Sequence, residues 1–170
     1  MFIQITMIRN ENVIRKLMKL VIPFRKALEI ALENGELSKC PIFKNFPNEC
    51  CDLTCDLLGY YLLGFGIDSY QTVAGYYCDS SRRHAWLVVN GDIVIDITGD
   101  QFNNNLNQGV VIPAVYIGKE SQFHRSFCVD RVIEENMPFM NKKHYTGFMN
   151  MPNARQKNLK DVYCIIEKYL

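Results

Sequence analysis

Arg83-His84-Ala85-Trp86-Leu87-Val88-Val89, then Asn90-Gly91, then Asp92-Ile93-Val94-Ile95-Asp96-Ile97-Thr98, reads as two strands joined by a turn. Asn-Gly between apolar, β-branched runs is a strong hairpin signal, because both residues tolerate the positive φ of a tight reversal. Both arms are apolar on both faces, so the hairpin should lie centrally in the sheet. His84 and Asp96 break that pattern. A carboxylate between Ile95 and Ile97 needs a partner if the strand is buried. Register decides whether His84 can be that partner. A two-residue turn sets His84 opposite Ile97 and sends Asp96 to the other face. A three-residue loop of Val89-Asn90-Gly91 sets His84 directly opposite Asp96. The second register, or a bulge that restores it, is expected.

Working outward, Tyr70 to Tyr77 is a third strand-like run. Before it, Cys51 to Leu63 has helical spacing, with Thr54, Cys55, Leu58, Tyr61 and Leu62 on one face and Gly64 and Gly66 to close it. Cys50 and Cys51 then stand at a helix N-terminus, where unpaired N–H groups and the helix dipole favour thiolate. Asp52 works against that ionisation. Residues 36–49, with Pro41 and Pro47, read as a loop. Further upstream, Val13, Ile14, Leu17, Leu20 and Val21 form an apolar helical stripe that Pro23 should end or kink near Ile22. Phe24, Ala27, Leu28, Ala31 and Leu32 form a second stripe, stopped at Gly35.

Downstream, Val110 to Ile117, interrupted at Pro113, reads as an edge strand. A short helix is expected around Val129 to Glu135, an irregular stretch from Pro138 to Pro152 and a terminal helix from Leu159 to Tyr169, with a strand at Val162 to Ile166 as the alternative. His124 and His144 lie in weakly patterned segments and receive no role. One α+β domain over residues 1–170 is expected, with helices packed on a central antiparallel sheet. Its parts are a helical region over 1–45, a core over 46–117 and a C-terminal elaboration over 118–170.

Composition excludes more than it selects. A net charge of +1 and the lack of a basic run give no electrostatic reason for a nucleic-acid or anionic-membrane partner. No apolar run approaches the roughly 20 residues that span a bilayer. Arg9, Glu11, Arg15, Lys16 and Lys19 interrupt the N-terminal apolar residues, so no signal peptide is evident and a cytoplasmic setting is expected. Seven cysteines is an odd count, with Cys50 and Cys51 adjacent. That suits a reduced protein whose cysteines mostly act as small buried hydrophobes. Only Cys51 and Cys55 have a ligand-like spacing, so neither metal nor other cofactor is expected.

Thiol, imidazole and carboxylate in chain order are the three groups a cysteine acyl-transfer site needs. The string Phe46-Pro47, Cys51, an apolar helix, Val73 and Gly75, His84-Ala85-Trp86-Leu87, then Asp96-Ile97-Thr98 with Gln101-Phe102 resembles compact papain-like and transglutaminase-like cysteine enzymes. That group includes peptidase and deamidase domains of bacterial toxins and effectors. The resemblance covers residues 46–102. It implies a papain-like or transglutaminase-like core with Cys51 as nucleophile, His84 as general base and acid, and Asp96 as orienting carboxylate. It also implies a protein or peptide substrate attacked at an amide bond. Cys51 is favoured over Cys50 because it falls five residues after Phe46 and shares the helix face of Thr54, Cys55 and Leu58. Its backbone N–H would supply one oxyanion donor. Asn45, Asn48 and Gln101 are candidates for the second, with Cys50 and Trp86 as further residues bordering the site. The alternative is a non-catalytic binding module, of adaptor or immunity type, that keeps the fold without turnover.

Overall fold

The structure is a computed structural model and describes residues 2–38, 40–78, 80–104, 111–134 and 153–170. Helix α1 runs over Phe2–Glu33 as one element with Pro23 inside it, so the helix does not end near Ile22. The physical reason is burial. Leu17, Val21, Phe24, Leu28 and Ala31 are all fully buried on one continuous stripe. Each large apolar side chain contributes about 1.5–3 kcal/mol, which together outweighs the roughly 3 kcal/mol that an interior proline costs. The helix stops at Gly35, whose φ of +72° lets Gly35 N–H reach Leu32 O at 2.9 Å and Glu36 N–H reach Ala31 O at 3.0 Å.

Helix α2 covers Cys51–Leu63. Three strands follow: β1 over Tyr70–Tyr77, β2 over Arg83–Val89 and β3 over Ile93–Asp96. A 3₁₀ turn at Gly99–Phe102, β4 at Tyr116–Gly118, α3 at Gln122–Arg125, β5 at Phe127–Glu134 and α4 at Asn153–Glu167 complete the order. The strands form one antiparallel sheet in the order β4-β3-β2-β1-β5, so the chain is α+β with the hairpin inside the sheet and β4 at an edge. Among the described residues no helix is long and apolar enough to cross a membrane. The expected irregular segment from Pro138 to Pro152 lies outside the described residues, as does His144.

Two expectations need correction. Val129 to Glu135 does not form a helix, because β5 pairs with β1 from Gln71↔Glu134 to Tyr77↔Phe127. Val129, Val132 and Ile133 are β-branched, and an unfilled sheet edge outweighs their weak local pattern. The hairpin also takes a third register, with Leu87↔Ile95, Val88↔Val94 and Val89↔Ile93. The loop is Asn90-Gly91-Asp92, with Asn90 at φ 53° and Gly91 at φ 83°. Extending this register sets Trp86, not His84, across from Asp96. The offset is two residues, so the pleat keeps His84 and Asp96 on one face as diagonal neighbours.

Each face of the sheet has its own core. Ala74, Ala85, Leu87, Ile95 and Ile97 face the helices. Val73, Trp86 and Val94 meet Phe102, Ile112, Phe123 and Phe127 on the other face. β1 and β5 also shift register between Ala74 and Gly75, and there the backbones nearly touch. A Cβ on Gly75 would lie 2.7 Å from Cys128 O and 3.0 Å from its carbonyl carbon, neither of which can swing away. Gly75→Ala is therefore expected to destabilise the fold by about 1–3 kcal/mol, seen as a lower melting midpoint by circular dichroism; an unchanged midpoint would show that β5 can move aside.

Candidate active site

Asp96 is only 2% exposed, and His84 is completely buried. His84 Nε2–H donates to Asp96 Oδ2 at 2.7 Å. Thr98 N–H donates to Asp96 Oδ1 at 3.0 Å, a bond made possible because the chain turns immediately after β3. A third donor is His124 of α3, whose Nε2–H lies 3.2 Å from the same Oδ2. Its Nδ1 accepts from the Ser121 hydroxyl at 2.7 Å, which fixes the tautomer. Gly99 makes room for the carboxylate, since a Cβ there would sit 2.6 Å from Oδ2.

The thiol approaches from α2. Cys51 is half-buried at the first position of this 13-residue helix and lies close enough to His84 to act on its ionisation. With Nε2 committed to Asp96, the free ring nitrogen is Nδ1. Gln101 Nε2 meets the same Nδ1 at 3.2 Å while donating to Thr98 O at 2.8 Å. Cys51, Asn48, Asp52, Arg82, Arg83 and Gln101 all border one cavity of about 510 Å³. The sheet, α2 and the 3₁₀ turn thus bring Cys51, His84, Asp96 and Gln101 together. Asn48 reaches the cavity too, with its amide donating to Asn45 O at 3.1 Å. Trp86 packs beneath the site, 5.7 Å from His84 and 5.2 Å from His124 between ring centroids, where it helps keep water from the His84–Asp96 pair.

Electrostatics follow from burial and pairing. Burial pushes the His84 imidazole down, but the Asp96 charge and hydrogen bond, with the Cys51 thiol on the other side, outweigh it and raise His84 above its ordinary range. Burial pushes Asp96 up, yet the charges and hydrogen bonds of His84 and His124 hold it well below the usual carboxylate range. Cys50 corrects the expectation that both adjacent thiols are activated at the helix start. It is 1% exposed, and burial pushes its thiol up to about 12 despite the Thr54 hydroxyl. Asp52, expected to oppose ionisation at Cys51, is paired with Arg131 at 2.5 Å.

The cysteines differ from the all-reduced expectation in one respect. Cys78 and Cys128 form a disulfide with Cα atoms 5.5 Å apart, at the end of β1 and the start of β5. Of the rest, Cys50 and Cys55 are buried, Cys40 and Cys51 half-buried and Cys164 exposed. Among the described residues no group of three or more His, Cys, Asp or Glu side chains could hold a metal ion.

Two supporting residues went unassigned in the sequence. His124 gave only a weak signal, a Ser-x-x-His spacing in which Ser121 caps α3. Arg25 was more visible, since it falls four residues after the buried Val21. It is 6% exposed and bonds Asp100 through both terminal nitrogens (3.0 and 2.8 Å), Glu29 at 2.7 Å and Ile97 O at 2.6 Å. Its guanidinium also lies 4.5 Å over the Phe46 ring. Arg25 therefore ties α1 to the Gln101 turn and to the loop before Cys51.

Comparison with known proteins finds no matching family model, no matching curated protein and no matching solved structure.

The depressed Asp96 carboxyl carries a stability signature. The unfolded carboxyl binds a proton near its ordinary 3.8, before the folded one does, so lowering the pH favours unfolding. The contribution is present above that value and is lost as pH falls below it. Asp96→Asn is expected to be less stable than wild type at neutral pH by about 2–4 kcal/mol, and to show a flatter acid limb in melts recorded across pH. Parallel acid limbs would show that Asp96 is not the group being titrated.

Proposed function

We propose that the protein is a cysteine hydrolase acting on amide bonds of a protein or peptide, with a papain-like or transglutaminase-like core. The observation that carries this reading is one buried imidazole, His84, held by Asp96 at Nε2, with the Cys51 thiol near enough to help raise it. A carboxylate on one nitrogen fixes the tautomer and leaves the other to exchange a proton with the nucleophile. Cys51 is preferred to Cys50 because it borders the cavity, whereas the Cys50 thiol is enclosed against Pro47 O and Thr54.

The mechanism is acyl transfer. His84 takes the Cys51 proton, and the thiolate adds to the amide carbonyl. The backbone N–H of Cys51, among the helix N–H groups without an acceptor in the preceding turn, faces the developing oxyanion. His84 then returns the proton to the departing amine or ammonia, leaving a thioester on Cys51. Water attacks that thioester with His84 as base and releases the acid. An amine in place of water gives the transferase reaction.

The test is a broad mixture of peptides and folded proteins incubated with wild type and with Cys51→Ala, read by mass spectrometry. New termini identify a peptidase, while glutamine converted to glutamate with release of ammonia identifies a deamidase. Cys51→Ala should lower either activity by roughly 10³-fold or more. The absence of any Cys51-dependent product would contradict the hydrolase reading and favour the non-catalytic binding module.

A further inference from the structure

The resting geometry places a side-chain amide donor at the free nitrogen of His84. Neutral His84 has a single in-plane lone pair, on Nδ1, because Nε2–H is committed to Asp96. Gln101 Nε2 is 3.2 Å from that nitrogen and 2.8 Å from Thr98 O. The amide orientation is fixed by chemistry, since turning it over would set its oxygen against the Thr98 carbonyl. The Cys51 thiol acts on the same ring, and its S–H is a weaker donor than an amide N–H.

We propose that Gln101 is a latch on the base: its amide occupies Nδ1 of His84 in the resting protein, and the thiolate forms when an acceptor in the cavity draws that amide away. The inference rests on the cysteine-hydrolase reading and adds regulation of the same site. Proton transfer breaks the Cys51 S–H bond and forms His84 Nδ1–H, giving thiolate and imidazolium with no other reactant. With the Gln101 amide in place, that new N–H would point at another N–H. The forces that favour the imidazolium, Asp96 and the thiolate, are thus held in check by a donor that only the neutral ring accepts.

Gln101 is built to move. It is half-buried, on a four-residue 3₁₀ turn that borders the cavity, and its side chain is long and unbranched. The acceptor that displaces it is the carbonyl oxygen of a substrate amide seated against Cys51. Ionisation of the thiol is then coupled to occupancy of the site.

The charged groups around His84 and Cys51 come from several elements. They are Asp96 from β3, His124 from α3, Asp52 from α2 with its partner Arg131 from β5, Glu49 just before α2, Arg82 just before β2 and Arg83 at its start. All of them stay in place in Gln101→Met, which keeps the length of the side chain and removes both N–H donors.

The test follows the His84 ring by proton–nitrogen NMR across pH in wild type, Gln101→Met, Gln101→Ala and Cys51→Ala. Both Gln101 variants should hold the His84 Nδ1 proton to a pH higher by about one unit, a roughly tenfold change in the equilibrium. Their titrations matching wild type, or moving to lower pH, would overturn the latch. Cys51→Ala separates the two claims. A His84 titration that responds to Cys51 but not to Gln101 removes the latch alone. One that ignores Cys51 removes the hydrolase reading, and the latch with it.

Discussion

A carboxylate shut away from water is costly, and much of this structure around the sheet's second face is arranged to offset that cost at Asp96. Three donors converge on it, from β2, α3 and its own turn, and a glycine clears the space beside it. Each donor fixes something larger. The His84 bond requires a hairpin register that keeps the two residues on one face. The His124 bond draws the four residues of α3 against β3. The Thr98 bond bends the chain into the 3₁₀ turn that carries Gln101.

Arg25 plays the matching part on the helical side. It is a buried cation on α1, and its bonds to Asp100 and Ile97 O hold that same turn from behind. A surface ion pair would contribute little. Here the guanidinium meets a carboxylate in a two-pronged fashion, a backbone carbonyl and an aromatic ring, so its removal would leave several groups unpaired at once. The geometry at Cys51 and Gln101 thus depends on two buried charges from distant parts of the chain.

The elements themselves were legible because their signals are local. The helix from Cys51 to Leu63, the strands Tyr70–Tyr77 and Arg83–Val89, and the stop at Gly35 follow from periodicity and from glycine at positive φ. Asp96 was legible for a different reason, since an acid between two isoleucines of an apolar strand demands a partner. What the sequence could not give were choices settled by the tertiary structure. Pro23 looks like a break until the apolar face on both sides of it is counted together. Val129 to Glu134 becomes a strand only because β1 offers an edge to pair with. The hairpin loop is one residue further on than expected, and parity alone preserved the His84–Asp96 contact. His124 was out of reach, because its role depends on a carboxylate 28 residues away in sequence.

The central claim is that His84 and Asp96 act on the Cys51 thiol. Its most direct test is the pH dependence of iodoacetamide labelling at each cysteine, mapped by mass spectrometry in wild type and His84→Ala. The account predicts that Cys51 labels at lower pH in wild type than in His84→Ala, while Cys50 and Cys55 stay unreactive. A Cys51 profile that is the same with and without His84 would contradict it.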